Sequence, residues 1–262
     1  MNQQLLCEDS LQLAWAQRLG WHGQHERWQL RFPRESMTLS LVPALMANVM
    51  PTGQLLLLRL DLNKGTLTDL QPLRLDGIAP ALVARHFAWL QVGQEPILRD
   101  LWSLSTQITE PALRAFYLTV LNDDAIMAPL FQVRAAHHPQ HDHVGGLLAH
   151  SHEVATTAAQ LCRRHRSDTV SAHIAFIGGL LHDMAHLPMD MAPGGQHRLA
   201  RPLAELRRAA PRQAQMLSRC LAPSRGWRGH DSEPANLVAL CDRLSAEVSN
   251  WPRAFAKASL AG

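Results

Sequence analysis

The spacing of apolar and polar positions changes character part-way along the chain. Before residue 78, apolar residues come in short stretches broken by turn formers. Residues 28–32 alternate, residues 37–41 repeat the pattern, and residues 54–61 and 66–75 flank Asn63-Lys64-Gly65, a hairpin turn signal. These features predict a small β-rich module over residues 1–77, with a helical or irregular start and a small barrel as the leading arrangement. Leu55 to Leu58 is continuous rather than alternating, which predicts a strand covered on both faces. Residues 78–103 read as a linker of one helix and a loop. From residue 104 to 262 the period is helical. Glu110-Pro111 is a helix start, and Leu113, Phe116, Tyr117, Val120 and Leu121 form a stripe at three-four spacing. A helix opens after Gly145-Gly146 and carries His150, Val154, Thr157 and Leu161 on one face. A further apolar helix starts near Ser171 and ends in Leu180-Leu181-His182-Asp183. Residues 201–221 read as helical with Pro211 as a candidate break, and residues 236–248 as a last apolar helix before Pro252. The fold class expected is two-domain α+β.

Composition narrows the class. A hydrophobic fraction of 47% supports real cores, and the net charge is only +3. Of 25 basic residues only Lys64 and Lys257 are lysines. Arginine suits bidentate contacts with phosphate. Residues 198–228 hold eight arginines (Arg198, Arg201, Arg207, Arg208, Arg212, Arg219, Arg225 and Arg228) against one glutamate. Such a run can guide a polynucleotide backbone by charge. Cys7, Cys162, Cys220 and Cys241 have no CxxC spacing and read as reduced thiols. The first nine residues lack the basic start and apolar run of a signal peptide, and no stretch approaches a membrane span. A cytoplasmic protein with no membrane partner is the expectation.

The chemistry converges on four separated residues. His150, the adjacent pair His182-Asp183 and the distal Asp242 offer imidazole nitrogens and carboxylate oxygens, a donor set for divalent ions. Such an ion acidifies water and neutralises charge on phosphoryl oxygens. Asp183 can both bind metal and orient the water. His186 lies four positions after His182, and His230 just before the helix bearing Asp242. Both are candidate catalytic groups. With His137 and His138 they are also candidates for a second metal or a phosphate contact, and His141 and His143 lie in the same histidine-dense segment. Asp142 and Glu153 can orient histidines from behind. In the β module Trp21, Trp28, Arg27 and Arg31 are candidates for a nucleic-acid platform, and a structural cap is the alternative role. Tyr117, the single tyrosine, sits on an apolar stripe, which argues against a tyrosine-linked strand-transfer mechanism.

These residues resemble the HD-domain metal-dependent phosphohydrolases, whose pattern is a histidine, a histidine-aspartate pair and a distal aspartate. His137-His138 followed by Gly145-Gly146-Leu147-Leu148-Ala149-His150-Ser151, together with Asp242-Arg243-Leu244-Ser245-Ala246, is similar to the YhaM-type 3′-to-5′ exoribonucleases. It is also similar to the related domain of TraI-like (MobH) conjugative relaxases. The likeness spans about residues 104–248. It implies an OB-fold-like domain before an all-α HD domain, and a metal-dependent nuclease that removes nucleotides from single-stranded RNA or DNA. Arg27, Arg31, Arg207, Arg208 and Arg212 would contact the strand. Manganese is the leading ion, with iron, magnesium, zinc, cobalt and nickel as alternatives, in one or two copies. The alternatives are a phosphohydrolase of a small nucleotide and a DNA-binding accessory or relaxase-related protein of a mobile element. Ala149 stands where the family usually has an acidic residue, and Ala185-His186 stands in place of its Gly-Lys.

Overall fold

The computed structural model describes residues 11–32, 35–61, 66–73, 77–91, 93–135, 139–165, 168–185, 187, 195–222 and 233–260. The chain divides into two compact units, residues 1–98 and 99–262, and the division falls within helix α2 (Glu95–Gln107). The architecture is two-domain α+β: a five-stranded antiparallel sheet, then a helical region.

The first unit is built on strands β1 (Leu11–His22), β2 (His25–Arg31), β3 (Ser36–Leu41), β4 (Gln54–Asp61) and β5 (Thr66–Pro72), in the order β3-β2-β1-β4-β5. An OB-type barrel would close with one further pairing, β3 with β5. Among the described residues the sheet is open along those two strands. β4 and β5 pair from Leu56 opposite Pro72 to Asp61 opposite Thr66. The turn at Asn63-Lys64-Gly65 lies outside the described residues.

Alternation in β2 turns Glu26, Trp28 and Leu30 inward. Trp28 and Leu30 pack with Ala14, Ala16, Leu56 and Leu58, and with Met46 and Val49 from the segment after β3. Leu55, on the other face of β4, is buried too, as its continuous run predicts. Helix α1 (Pro80–Trp89) lies against β4.

Where the sequence suggests a helical or irregular start, the described residues open at Leu11 directly on β1, a long central strand paired on both sides. Leu13 and Trp15 are buried on one face and Ala14 and Ala16 on the other, so the strand shows no alternation to read. Trp28 is not the stacking platform that the sequence allows. It is 1% exposed, and its indole N–H donates to Glu26 Oε2 at 2.9 Å. Arg18 also donates to Glu26, at 2.8 Å, and is the main reason the Glu26 carboxyl titrates below its usual range.

Trp21 is 58% exposed, and Arg27 and Arg31 are exposed. Register places Arg27 opposite Ser40, Gln29 opposite Thr38 and Arg31 opposite Ser36. Arg31 also donates to Gln17 Oε1 at 3.2 Å. Among these described residues the outer face of β2 and β3 therefore presents arginine, amide and hydroxyl groups.

In the second unit the Glu110 carboxylate accepts from the backbone N–H groups of Ala112 and Leu113 and so starts α3 (Pro111–Leu121). Asp123 caps α4 (Asp124–Gln132). Gly145, at φ +75°, turns the chain into α5 (Gly146–Arg164). Asp168 caps α6 (Thr169–Leu181), whose last eleven residues are all buried. A 3-10 turn (His182–Ala185) continues it. Then follow α7 (Gly195–Ala209) and α8 (Pro211–Cys220), separated at Pro211, and α9 (Glu233–Leu260). α9 runs past Pro252, where the sequence suggests a stop.

α6 packs against α5, α8 and α9. Gly178 and Gly179 permit the close approach. A Cβ on Gly179 would sit 2.6 Å from Ala155 Cα, and one on Gly178 would sit 2.4 Å from Cys220 Cβ. Tyr117 is fully buried and its hydroxyl donates to Leu101 O at 2.8 Å. Burial raises its pKa well above the ordinary phenol value, so it has neither the access nor the ionisation of a nucleophile. Among the described residues no helix is long and apolar enough to cross a membrane.

Burial also sets a pH dependence. His152 Nε2 lies 3.1 Å from Asp100 Oδ2, and desolvation lowers its pKa although Asp100 pulls the other way. A depressed histidine is neutral in the fold and takes up a proton on unfolding. Its stabilisation is therefore present above the ordinary value of 6.5 and is lost as pH falls through the lowered folded value. Thermal melts from pH 7.5 to 5.5 should show Tm falling more steeply in the wild type than in His152→Gln. Parallel profiles would contradict this.

Candidate metal centre

Three helices deliver the four residues. On α5, His150 and Val154 share the inward face at i,i+4 spacing, and His150 is completely buried. The apolar α6 ends so that His182 is its C-cap and Asp183 the next residue of the 3-10 turn. On α9, Val238, Cys241 and Ser245 are buried, and Asp242 lies on the same side at i+4 from Val238. Arg243 faces solvent and donates to Ala239 O at 3.2 Å.

His150 Nε2 lies 3.3 Å from Asp242 Oδ1 and 3.6 Å from Asp183 Oδ2. His182 Nε2 lies 3.3 Å from Asp183 Oδ1 and 3.5 Å from Asp242 Oδ1. Donor atoms each about 2.1 Å from a shared cation are themselves roughly 3.0–3.4 Å apart at right-angled to tetrahedral geometry, so the measured separations suit one ion with small adjustments. The ligand atoms of His150, His182 and Asp242 all lie within 4.8 Å of one another.

A second observation fits a cation. His182 Nε2 is buried and has no hydrogen-bond partner among the described residues, while Nδ1 lies 2.7 Å from Gly179 O. The carbonyl can only accept, so Nδ1 carries the hydrogen and Nε2 presents its lone pair in the neutral ring. Burial disfavours the charged imidazolium, but Asp242 and Asp183 outweigh it and raise the pKa of His182. Burial likewise raises that of Asp242, and the imidazoles of His150 and His182 overcome it and hold the carboxyl far below its usual range. The side chains of Asp183 and Asp242 are each 27% exposed, so the cluster opens to solvent on its carboxylate side.

Behind His150, its Nδ1 is 3.2 Å from Ser245 Oγ. Ser245 Oγ donates to Glu153 Oε2 at 3.3 Å, and His141 Nε2 lies 3.2 Å from the same oxygen. Glu153 thus stands behind a histidine as the sequence suggests. Asp142 does not; its ion-pair partner is Arg134 at 3.8 Å. Ser245 has no role in the sequence reading. Its position three residues after Asp242, on the same helical face, is the signal that points to it. His143 is exposed and its Nδ1 bonds to Val144 O. His152 faces Asp100, away from the cluster.

Other candidates stand apart or outside. His137, His138, His186 and His230 lie outside the described residues. Arg207, Arg208 and Arg212 are exposed, Arg207 and Arg208 in the last turn of α7 and Arg212 at the start of α8. α7 packs against the 3-10 turn that holds His182 and Asp183.

The HDOD domain family matches residues 120–219, under half of the chain. The match holds His150, His182 and Asp183 and stops before Asp242. It is an HD-like domain and fits the HD superfamily broadly. No curated protein and no solved structure matches the chain.

Proposed function

We propose that this chain is a metal-dependent phosphodiesterase acting on single-stranded nucleic acid, with removal of nucleotides from a 3′ end as its mode. The observation that carries the reading is the meeting of His150, His182, Asp183 and Asp242 at ion-pair distances with one side open to solvent. A purely structural site is closed by its ligands, whereas a hydrolytic one keeps a face for water and substrate. The HD-like match supports phosphoester chemistry at the coarser level, and the likeness to YhaM-type enzymes is the basis for the polarity.

His150, His182, Asp183 and Asp242 would hold a divalent ion, which would supply a more acidic bound water and positive charge against the phosphoryl oxygens. Manganese is the proposed ion on the resemblance to the HD-domain phosphohydrolases; two imidazoles and two carboxylates suit iron and zinc as well. Asp242 is the anionic anchor between the two imidazoles. Asp183, at the solvent edge, orients the attacking water. His186 and His230 are assigned contacts to the scissile phosphate or leaving oxygen on their sequence positions alone. Arg27 and Arg31 on the outer face of β2 in the first unit, and separately the exposed arginines of α7 and α8 in the second, are proposed to contact nucleic-acid phosphates.

The test is incubation of the purified chain with end-labelled single-stranded RNA and DNA across manganese, iron, magnesium, zinc, cobalt and nickel. A manganese-dependent ladder shortening from the 3′ end is expected. Hydrolysis of small nucleotides with intact polymer would replace this reading with the small-nucleotide one. Replacing Arg207 and Arg208 with glutamine should weaken polynucleotide binding and flatten its log–log salt dependence by roughly 0.7 for each phosphate no longer neutralised. Turnover of a small model ester should be spared. Equal loss on both substrates would contradict an electrostatic track.

A further inference from the structure

We infer that Ser245 and Glu153 are positioning residues that fix the tautomer of His150, so that its Nε2 lone pair faces the cation site. The inference rests on the reading of that cluster as a cation site, and it adds two residues that touch neither the cation nor the substrate.

Hydrogen-bond polarity sets the direction of the chain. A carboxylate only accepts. Glu153 Oε2 lies 3.3 Å from Ser245 Oγ and 3.2 Å from His141 Nε2, so both of those atoms must be the donors. Ser245 has one hydroxyl hydrogen, and pointing it at Glu153 turns the oxygen lone pairs elsewhere. His150 Nδ1, 3.2 Å from that oxygen, must then donate its N–H. With the hydrogen on Nδ1, a neutral His150 carries its lone pair on Nε2, the atom that faces Asp183 and Asp242.

His182 reaches the same state by a shorter route, through Gly179 O. The two imidazoles are thus oriented by different devices, a backbone carbonyl for one and a hydroxyl backed by a carboxylate for the other. The fold supports the second device. His150 and Glu153 are three apart on α5, Asp242 and Ser245 three apart on α9, and these two helices pack together. Ser245 is 4% exposed, so little water competes for its hydroxyl. A metal-binding histidine commonly donates its second N–H to a carboxylate, carbonyl or water, and losing such a partner typically costs about 10–100-fold in metal affinity; here the Ser245 hydroxyl takes that place, with Glu153 behind it.

The test uses the full chain in Ser245→Ala, Ser245→Thr and Glu153→Gln forms. Nitrogen-15 NMR of the metal-free protein at pH 8.5 reads the His150 tautomer, with the resonance assigned from its loss in His150→Gln. Manganese titration followed by electron paramagnetic resonance reads affinity. The wild type and Ser245→Thr should hold the Nδ1–H form. Ser245→Ala should lose that preference and bind manganese about 10–100-fold more weakly. Glu153→Gln should shift in the same direction, because its amide can donate to Ser245 and reverse the chain. An unchanged tautomer in Ser245→Ala, or unchanged manganese affinity in that variant, overturns the inference. A wild type that takes up no manganese instead defeats the cation-site reading, and the metal-free tautomer measurement still decides the role of Ser245.

Discussion

Asp242→Ala should strip the chain of its cation and its hydrolytic activity while leaving the fold in place. Asp242 Oδ1 is the carboxylate oxygen that lies near both imidazoles, 3.3 Å from His150 and 3.5 Å from His182. Removing it leaves two imidazoles and a single carboxylate. Loss of a group that merely orients a ligand costs about 10–100-fold in metal affinity, so loss of a ligand should cost more than about 100-fold. The side chain is partly exposed, so its removal opens no sealed cavity. The metal-free protein is expected to stay folded but to melt lower, because the ionised carboxyl no longer pairs with the two imidazoles. Metal analysis after dialysis, run beside a thermal melt, checks both halves. Retained manganese and retained activity in the variant would remove Asp242 from the site.

Gly179→Val should unsettle both the core and the centre. The first side-chain carbon would lie 2.6 Å from Ala155 Cα and 2.8 Å from its nitrogen, both backbone atoms that cannot swing aside. α5 and α6 would have to separate, and these are the helices that carry His150 and His182. Overpacking a core costs about 1–3 kcal/mol and more when backbone must move, so a fall in Tm of several degrees is expected. Because Gly179 O also fixes the His182 ring, manganese affinity should fall with stability. An unchanged Tm would mean that α5 and α6 have room between them at this glycine.

The cluster was legible in the sequence because each of its members is a polar group set within or at the end of an apolar helical stripe. His150 lies one turn before Val154 on an amphipathic run. His182-Asp183 ends the most apolar helix, and Asp242 interrupts an apolar stretch as a carboxylate would on a face turned inward. The β module was less legible. β1 has buried side chains on both faces, with alanines on one of them, so neither period appears. Trp28 reads the same whether it stacks on a base or fills a core, and only the burial of its neighbours Ala14, Ala16, Leu56 and Leu58 separates the two. Asp142 and Glu153 were equivalent as sequence symbols. They differ because Glu153 is one helical turn from His150 on a rigid element, whereas Asp142 lies in the short connection before α5 and faces Arg134. Ser245 stands in the sequence only as part of Asp242-Arg243-Leu244-Ser245-Ala246, and its role emerges once its hydroxyl is placed between His150 and Glu153.

The most direct measurement of the central claim is pulsed electron paramagnetic resonance on the chain loaded with one equivalent of manganese, using uniformly nitrogen-15-labelled protein. The account predicts coupling to two imidazole nitrogens in the wild type, to one in His150→Gln and to one in His182→Gln. A manganese signal with no imidazole coupling, or one that neither substitution alters, would contradict it.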